Sequence, residues 1–316
     1  MRHLFIINPA AGMTARDRKK SKANELIEKI KNYFKSSSDE YDIAVTTRPL
    51  EAMEITDQYG SKYKNEQLRI YACGGDGTLN EVVTGAYKHP NCSVGAIPIG
   101  SGNDFVKAYE PLVKADFLSL DRMIVGDIDA VDLLIVSEEG KEPRASINIV
   151  SVGFDAETAD SMKKYKKLPF MNGSLAYNLA LVENLFTSLK HSLEFEVDGK
   201  KIGHGKKNYL FTIAANGRWY GGGFKAAPIA ELSDGLLDFI RVPSIPVFKI
   251  TKLVSIFRKG EHLEKLDFVE FLRCRKLKII ADKPINVNLD GEIVKMRDPV
   301  ISILPKSMRI IVPKPI

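Results

Sequence analysis

Three glycine-rich segments combine small residues with side chains that could hold a phosphate. They are Asn8-Pro9-Ala10-Ala11-Gly12, Gly74-Gly75-Asp76-Gly77-Thr78-Leu79-Asn80-Glu81 and Gly100-Ser101-Gly102-Asn103-Asp104-Phe105. Glycine has no β-carbon to keep a polyphosphate away from the backbone, and the dipole at a helix N-terminus favours anionic oxygen. One such loop is commonly just a tight turn, but three of them at the ends of strands predict a phosphate-binding site.

The aspartate in the second loop points to a cation. The Asp76 carboxylate would repel a bound phosphate, so we expect it to face Mg²⁺ or the water shell of that ion. The alternative is that Asp76 only caps the following helix by accepting hydrogen bonds from N–H groups of its first turn.

A second acidic turn lies at Asp290-Gly291-Glu292. Asp-Gly is a common hairpin dipeptide, so an ordinary turn between two strands is one interpretation. Two carboxylates on one tight turn repel each other, however, and that arrangement needs a reason. Phosphoryl transfer supplies one, because it needs a base for the hydroxyl proton and a partner for the magnesium or the nucleotide.

The first third of the chain alternates strand and helix patterns. Strands are predicted over 4–7, 41–46, 68–72 and 94–97, with a helix over 14–35 and a second helix that Thr47 could cap. Such alternation predicts a parallel sheet covered by helices on both faces. In open parallel sheets ligands bind at the carboxyl ends of the strands, which is where the glycine-rich segments fall.

After about residue 126 the pattern becomes rich in strands. Candidate strands cover 146–152, 191–197, 210–215, 236–242, 269–281, 285–289 and 300–304, and Asp198-Gly199 predicts a hairpin turn. Helices are predicted over 156–165, over 174–189 and in a shorter stretch after Pro246. We therefore expect a first domain at 1–126, a mostly antiparallel β-rich domain at 127–304, and a strand near 309–313, within 305–316, that returns to the first domain.

Composition narrows the class of protein. The 316 residues carry a net charge of +6, spread along the chain, which is a mild bias towards anionic partners and no nucleic-acid signature. Three cysteines without CxxC spacing indicate neither a disulfide framework nor a thiolate zinc site, and they suit a reducing cytosol. No apolar run approaches the roughly 18 residues of a spanning helix, so we expect a soluble protein or one at a membrane surface.

Taken together, the motifs resemble the diacylglycerol kinase catalytic family, in particular the soluble bacterial lipid kinases, with sphingosine and ceramide kinases as distant relatives. The matching elements, in family order, are the three glycine-rich segments, the stretch from Asn216 to Asp234 and the turn Leu289-Asp290-Gly291-Glu292. NAD kinases and phosphofructokinases share the Gly-Gly-Asp-Gly core. The continuation Thr78-Leu79-Asn80-Glu81-Val82-Val83 resembles the lipid kinases specifically.

The resemblance implies a set of site residues. The ATP site would be formed by Asn8, Pro9, Ala10, Ala11, Gly12, Thr47, Gly75, Asp76, Gly77, Thr78, Leu79, Asn80, Glu81 and Ser101, with Thr46 as a rival for Thr47. Glu292 resembles the family's proton acceptor, and Asp76, Asp104 and Asp290 resemble its aspartate and water network around magnesium. A structural magnesium would take the Asp234 carboxylate and the backbone carbonyls of Glu231 and Leu236.

The fold implied is a phosphofructokinase-like or NAD kinase-like α/β nucleotide-binding domain followed by a β-sandwich-like domain, with the site in the cleft. The activity implied is an ATP- and Mg²⁺-dependent transfer of the γ-phosphate to a lipid hydroxyl. Diacylglycerol, which would give phosphatidic acid, is the first candidate acceptor, and phosphatidylglycerol or another hydroxyl-bearing lipid stays open as an alternative. The alternatives are an NAD kinase-type enzyme and a nucleotide-binding regulator without turnover.

The partners implied are ATP and a lipid at a membrane surface, with no nucleic acid. The oligomeric state stays open, and a homodimer is the candidate because dimers are the commonest assembly. We expect a cytoplasmic protein, peripheral at the inner face of the membrane. The segment Lys163–Met171, with four lysines before Leu168, Phe170 and Met171, is a candidate membrane-facing surface. Its alternative is a solvated helix end followed by a loop packed on its own domain.

Overall fold

The computed structural model describes residues 1–12, 22–100, 102–153, 156–157 and 190–315. The chain divides into two compact units. Unit 1 comprises Met1–Leu133 and Pro305–Ile316, and unit 2 comprises Leu134–Leu304. The C-terminal residues therefore belong to the same unit as the N-terminal ones.

Unit 1 is built around a parallel sheet. Its strands are β1 (Arg2–Ile7), β2 (Glu40–Val45), β3 (Leu68–Gly74), β4 (Cys92–Pro98), the first part of β5 (Asp127–Ser137) and the last part of β15 (Val300–Val312). The parallel order is β2, β1, β3, β4 and then β15, where Ile310 and Ile311 pair with Val94 and Gly95. All seven residues of β4 are buried, as expected for a strand covered on both faces.

The helices of unit 1 follow the expected periodicity. They are α1 (Lys22–Phe34), α2 (Glu51–Lys62), α3 (Asp76–Ala86), α4 (Lys114–Phe117) and α5 (Leu120–Ile124), with a 3-10 helix at Phe105–Tyr109. Helix α1 buries Leu26, Ile30 and Phe34, spaced four residues apart on one face. The predicted helix began at residue 14, and residues 13–21 lie outside the described part.

The prediction that Thr47 caps the second helix is wrong. Helix α2 begins at Glu51, and its N-cap is Leu50, in the left-handed conformation with φ of 65°. The backbone N–H and the hydroxyl of Thr47 both donate to the Glu51 carboxylate. The Glu51 side chain of the helix therefore accepts hydrogen bonds from the preceding loop, and Thr47 does not cap the helix.

Unit 2 is an antiparallel assembly. Beside the end of β5 and the start of β15, its strands are β6 (Arg144–Ser146), β7 (Ile149–Gly153), β8 (His191–Val197), β9 (Lys200–Ala215), β10 (Leu237–Pro243), β11 (Glu270–Cys274), β12 (Lys276–Ala281), β13 (Ile285–Leu289) and β14 (Glu292–Met296). Neighbours run in the order β14, β13, β7, β9, β8, β12, with β10 also on β9 and β11 on β10. Two described helices, α6 (Val247–Lys259) and α7 (His262–Lys265), follow β10.

Two hydrophobic clusters stabilise unit 2. In the first, Phe195 and Phe239 pack edge to face with ring centroids 5.0 Å apart. In the second, Ile250 and Leu253 of α6 pack against strand residues such as Ile240. A parallel α/β region followed by a mostly antiparallel, sandwich-like domain is the predicted fold class, and it is confirmed.

The predicted hairpin is confirmed, and one predicted strand divides. Asp198 and Gly199 both have positive φ, 47° and 80°, as a two-residue turn requires. The stretch 269–281 is not one strand but β11 and β12, because the Asp198 carboxylate accepts hydrogen bonds from the backbone N–H groups of Arg275 and Lys276 at 3.0 and 2.8 Å. These two N–H groups interrupt the ladder at the junction.

Two predicted strands form one strand in the structure, and several predicted segments lie outside the described residues. The predicted strands at 300–304 and 309–313 belong to the single strand β15. Apart from residues 156–157, the predicted helices at 156–165 and 174–189 lie outside the described part, as does the whole of Lys163–Met171. Among the described helices, none is both long and apolar enough to cross a bilayer.

Candidate active site

The three glycine-rich segments follow strands that are neighbours in the sheet of unit 1. They begin where β1, β3 and β4 end, and backbone hydrogen bonds join them. The N–H of Asn8 donates to the Cys73 carbonyl at 3.0 Å, and the N–H of Gly100 donates to the Gly74 carbonyl at 2.9 Å. The structure therefore brings together three segments that are up to about 90 residues apart in the chain.

The second and third segments touch through their backbones. A Cβ atom at Gly100 would lie 2.5 Å from the Cα of Gly75, so only glycine allows this approach. The side-chain amide of Asn103 donates to the Gly100 carbonyl at 2.6 Å and holds the third segment in its turn. Glycine thus lets the two segments approach each other at the carboxyl edge of the sheet, where a phosphate site is expected.

Asp76 joins the second segment to the third. Its Oδ1 accepts hydrogen bonds from the N–H of Asp104 at 2.7 Å and from the N–H of Phe105 at 3.4 Å. The N-cap of α3 is Gly75, and Asp76 is the first helical residue. The capping alternative therefore does not account for these two bonds, which orient the carboxylate across the loops.

The other oxygen of Asp76 lies beside Gly102 of the third segment. A Cβ atom at Gly102 would lie 2.7 Å from Asp76 Oδ2, so glycine at this position avoids a close contact with the carboxylate. Asp76 also lines a small cavity together with Gly74 and Phe105. Carboxylate oxygen is the donor that Mg²⁺ prefers, and we conclude that Asp76 fits that ion.

The first segment contacts the start of α3. The side-chain amide of Asn8 donates to the Thr78 hydroxyl at 3.2 Å, and Asn8 Oδ1 accepts the N–H of Ala10 at 3.0 Å. Glu81 points to α2, where it accepts the N–H of Ala52 at 3.2 Å. This bond gives Glu81 a contact with protein, whereas the resemblance had implied a contact with nucleotide.

The rival threonines after β2 have different surroundings. Thr46 is buried, and its N–H donates to the Ile7 carbonyl at 2.9 Å, beside the end of β1. Thr47 is exposed and its hydroxyl is bound to Glu51 at 2.9 Å. Ser101 lies outside the described residues.

Three lysines surround the loops, and local sequence analysis missed them. Lys114 Nζ donates to the Gly100 carbonyl at 3.1 Å, and Lys107 Nζ lies 2.5 Å from Asp104 Oδ1. Burial lowers the pKa of Lys114, and the positive charges of Lys22 and Lys107 lower it further. Three ammonium groups close enough to affect each other make this edge of the sheet attractive to polyphosphate.

In unit 2, Asp290 holds the acidic turn in place. Its carboxylate accepts hydrogen bonds from the backbone N–H groups of Ile147 at 2.8 Å, Asn148 at 3.2 Å and Ile149 at 2.7 Å. Asp290 itself has a positive φ of 49°. The carboxylate thus ties the turn between β13 and β14 to the chain that enters β7.

Glu292 forms a bidentate ion pair with Arg144. Arg144 Nη1 lies 2.9 Å from Glu292 Oε1, and Nη2 lies 2.6 Å from Oε2. Both side chains are partly exposed, at 20% and 29%. Two parallel hydrogen bonds fix the plane of the carboxylate, and no local signal in the sequence marks Arg144 as its partner.

The turn predicted to hold a structural magnesium is followed by a buried carboxylate, that of Asp238 on β10. Asp234 Oδ1 accepts the N–H of Leu236 at 2.9 Å, and its Oδ2 lies 3.8 Å from Arg273. Arg273 also donates to Asp238 at 2.9 Å. Burial raises the pKa of Asp238, and the nearby charges of Asp234 and Glu231 add to that effect.

The Asp238 carboxylate offers one oxygen beside this acidic turn. Asp238 Oδ2 is buried and accepts no hydrogen bond from the described residues, which leaves a carboxylate oxygen for a ligand. No group of three or more His, Cys, Asp or Glu side chains within the described part is arranged to hold a metal. The implied site differs from such a group, because two of its three donors are backbone carbonyls.

Comparison with known proteins gives a family match for each part of the chain. The profile of the diacylglycerol kinase catalytic domain matches residues 2–136, and that of the YegS C-terminal NAD kinase beta sandwich-like domain matches residues 148–312. The diacylglycerol kinase of Bacillus subtilis (strain 168) is 29% identical over 250 residues, 78% of each chain. A "Probable lipid kinase YegS-like" of Xanthomonas oryzae pv. oryzae (strain MAFF 311018) is 30% identical over 259 residues, which cover 77% of this chain and 78% of that protein.

Solved structures share the fold. A crystal structure of a diacylglycerol kinase from Bacillus anthracis str. Sterne has a TM-score of 0.65 at 16% identity, covering 99% of this chain and 97% of that one. A second structure from the same organism reaches 0.72 at 19% identity, with the same coverage.

The fold and the matches define a phosphotransferase with an alcohol group as acceptor. More particularly, the chain belongs to the family of diacylglycerol kinases and YegS-like lipid kinases, for which ATP is the co-substrate.

Proposed function

We propose that this lipid kinase transfers the γ-phosphate of ATP to the free hydroxyl of diacylglycerol, with Mg²⁺, and produces phosphatidic acid. The observation that carries the proposal is the position of Asp76, whose carboxylate accepts two N–H groups of the third glycine-rich segment and keeps one oxygen beside Gly102. Residues 1–126 and 305–316 would form the ATP-binding part, and 127–304 the part that binds lipid.

The nucleotide side of the proposal lies in unit 1. The triphosphate would contact the backbone of Asn8–Gly12 and Gly75–Thr78, where N–H groups and a helix N-terminus face the edge of the sheet. Thr46 or Thr47, at the end of β2, and Ser101 would complete the contacts. The ammonium groups of Lys107 and Lys114 would add positive charge at the same edge.

Magnesium would be held by Asp76, with Asp104 nearby. When bound, the ion offsets the negative charge that develops on the phosphoryl oxygens. Asp76 is oriented for this by its two backbone hydrogen bonds, and Asp104 is buried and paired with Lys107. A second ion at Asp234 would be structural, with backbone carbonyls of Glu231 and Leu236 as further ligands.

Glu292 is the proposed base. The hydroxyl oxygen of the lipid attacks the γ-phosphorus, the bond from that phosphorus to the β,γ-bridging oxygen breaks, and ADP leaves. The hydroxyl proton passes to the Glu292 carboxylate. Arg144 holds that carboxylate in one plane, and Asp290 holds the turn that carries it.

The acceptor lies in a bilayer, so we propose that the enzyme works as a peripheral protein at the cytoplasmic face of the membrane. The segment Lys163–Met171 stays a candidate contact of that kind and lies outside the described residues. A homodimer also stays a prediction, which sedimentation equilibrium would test.

Incubation with γ-labelled ATP tests the proposed function. Purified protein would be given mixed micelles of dioleoylglycerol, phosphatidylglycerol or no lipid, and separately NAD⁺, with the Glu292→Gln variant as the matched control. We expect label in a product with the mobility of phosphatidic acid, dependent on Mg²⁺ and on Glu292. Label only in the product of phosphatidylglycerol would make that lipid the acceptor in place of diacylglycerol. Label in NADP⁺ would make the protein an NAD kinase, and ATP binding without any labelled product would indicate a regulator.

A further inference from the structure

The start of helix α6 in unit 2 exposes an apolar tip. Phe248 is 75% exposed and its neighbour Val247 is 43% exposed, while no other large apolar side chain among the described residues is more exposed than Phe248. Farther along the helix, Ile250 and Leu253 are buried in the second hydrophobic cluster. The apolar tip therefore points away from the core that the rest of the helix packs against.

The charged residues of helix α6 are all of one sign. Helix α6 contains Lys249, Lys252, Arg258 and Lys259 and no acidic residue. Lys249 and Lys252 are exposed, and Lys252 is four residues from Phe248, so the two are neighbours on the helix surface. On the adjoining strand β9, Lys207 is exposed as well.

Backbone hydrogen bonds hold the chain on either side of the tip. The N–H of Ser244 donates to the Asn208 carbonyl of β9 at 3.0 Å, and the N–H of Lys249 donates to the Pro246 carbonyl at 2.9 Å. Because the backbone is held on both sides of Val247 and Phe248, these side chains are displayed at a fixed place on unit 2.

We propose that the start of α6, residues 246–249 with Lys252, is a contact site for an anionic lipid bilayer. An exposed phenylalanine and valine beside lysines match the acyl boundary and the anionic headgroups of such a surface. A protein partner would have to combine an apolar pocket for Phe248 with an acidic rim for the lysines. An anionic bilayer supplies an apolar interior and negative charge at once. The inference rests on the proposed function, because an acceptor in a bilayer is what brings the protein to a membrane.

Vesicle sedimentation tests the contact. Wild-type protein and Phe248→Ser would be spun with vesicles of phosphatidylglycerol and phosphatidylcholine in equal parts, and with phosphatidylcholine alone. Removal of one inserted phenyl ring is expected to lower the partition coefficient about tenfold. The pair Lys249→Gln and Lys252→Gln is expected to weaken binding to the mixed vesicles about tenfold, with little change on phosphatidylcholine alone.

The control variants carry the same chemical changes elsewhere. Val125→Ser removes a side chain that is 53% exposed in unit 1, and Lys35→Gln with Lys64→Gln removes two exposed lysines there. We expect both controls to sediment like wild type. Unchanged sedimentation of Phe248→Ser would overturn the proposal, and so would a change in its oligomeric mass at unchanged vesicle binding, which would assign the tip to a second copy of the chain.

Activity separates this inference from the proposed function. Phe248→Ser should phosphorylate dioleoylglycerol in vesicles more slowly and a short-chain, water-soluble diacylglycerol at the wild-type rate. Full activity on both substrates with wild-type sedimentation would overturn the membrane contact and leave the function intact. If Phe248→Ser sediments more weakly than wild type, and the wild type itself phosphorylates neither substrate, the contact is supported and the proposed function is overturned.

Discussion

Arg144 and Glu292 meet in unit 2 through two parallel hydrogen bonds, of 2.9 and 2.6 Å, although 147 residues separate them in the chain. The guanidinium fixes the orientation of the carboxylate. The proposed base therefore already has a cationic partner, and Arg144 is a positioning residue for Glu292.

Glu292→Gln should retain ATP binding and lose phosphoryl transfer. The amide keeps the size of the side chain but cannot accept the hydroxyl proton, and loss of a general base costs about 10² to 10⁴ in rate. Steady-state kinetics should show a fall in kcat with an unchanged KM for ATP. An equal fall in nucleotide affinity would make Glu292 a nucleotide ligand and turn attention to Asp290 or Asp76 as the base.

Arg144→Gln should lower kcat about 10- to 100-fold, because misplacement of a reacting group is costly even when the group is present. Arg144→Lys should recover part of this loss, since it restores the charge without the fork. Arg241→Gln is the matched control, because Arg241 pairs with Glu270 at 2.8 Å in the same unit. If both Gln variants lose the same activity and the same Tm, the role of Arg144 is structural.

Asp76 has two roles that substitution can separate. Asp76→Asn keeps an oxygen for the N–H groups of Asp104 and Phe105 but loses the charge, so its Tm should stay near wild type while its rate falls about 10²- to 10³-fold. Asp76→Ala should lose the same activity and also stability, by about 1 to 3 kcal/mol, because buried N–H groups lose their acceptor. Retention of more than half the rate in either variant would remove Asp76 from the metal site.

Chelation tests the structural metal at Asp234. A metal that binds only the folded state stabilises it by mass action, so EDTA without nucleotide should lower the Tm of the wild type. Asp234→Ala should have a lower Tm than wild type and should not respond to EDTA. Equal melting curves for wild type with and without EDTA, and for the variant, would mean that Arg273 alone supplies the positive charge beside Asp234 and Asp238.

Acid should destabilise the fold through two buried histidines. Burial lowers the pKa of His3 and of His262 from 6.5 to about 4, so as the pH falls from 6.5 towards 4 the unfolded chain takes up protons that the folded chain does not. Each histidine should cost roughly 3 kcal/mol of the free energy of unfolding over that range. Urea unfolding across it should show the loss, and His262→Gln, which removes the ring stacked on Phe257, should flatten the pH dependence by about half. An unchanged slope in this variant would contradict the assignment.

Much of the architecture was predictable because it depends on neighbours in sequence. The buried run at 4–7 and the periodic face of α1 reflect local spacing of apolar residues, and the positive φ values at Asp198-Gly199 reflect local turn chemistry. The position of the glycine-rich segments at one edge also follows from sequence, since the carboxyl ends of parallel strands must lie on the same side of the sheet.

The tertiary structure decided which groups those residues meet. The partners of Asp76 are backbone N–H groups 28 and 29 residues away, and those of Asp290 are more than 140 residues away. Backbone N–H groups carry no residue type that a motif could record, and Arg144 is an ordinary arginine until β6 and β14 bring it to Glu292. Side-chain type and spacing therefore determined where chemistry could occur, whereas the partner of each carboxylate depended on chain-distant contacts, because hydrogen bonds and ion pairs act over a few ångströms in space and have no fixed separation in sequence.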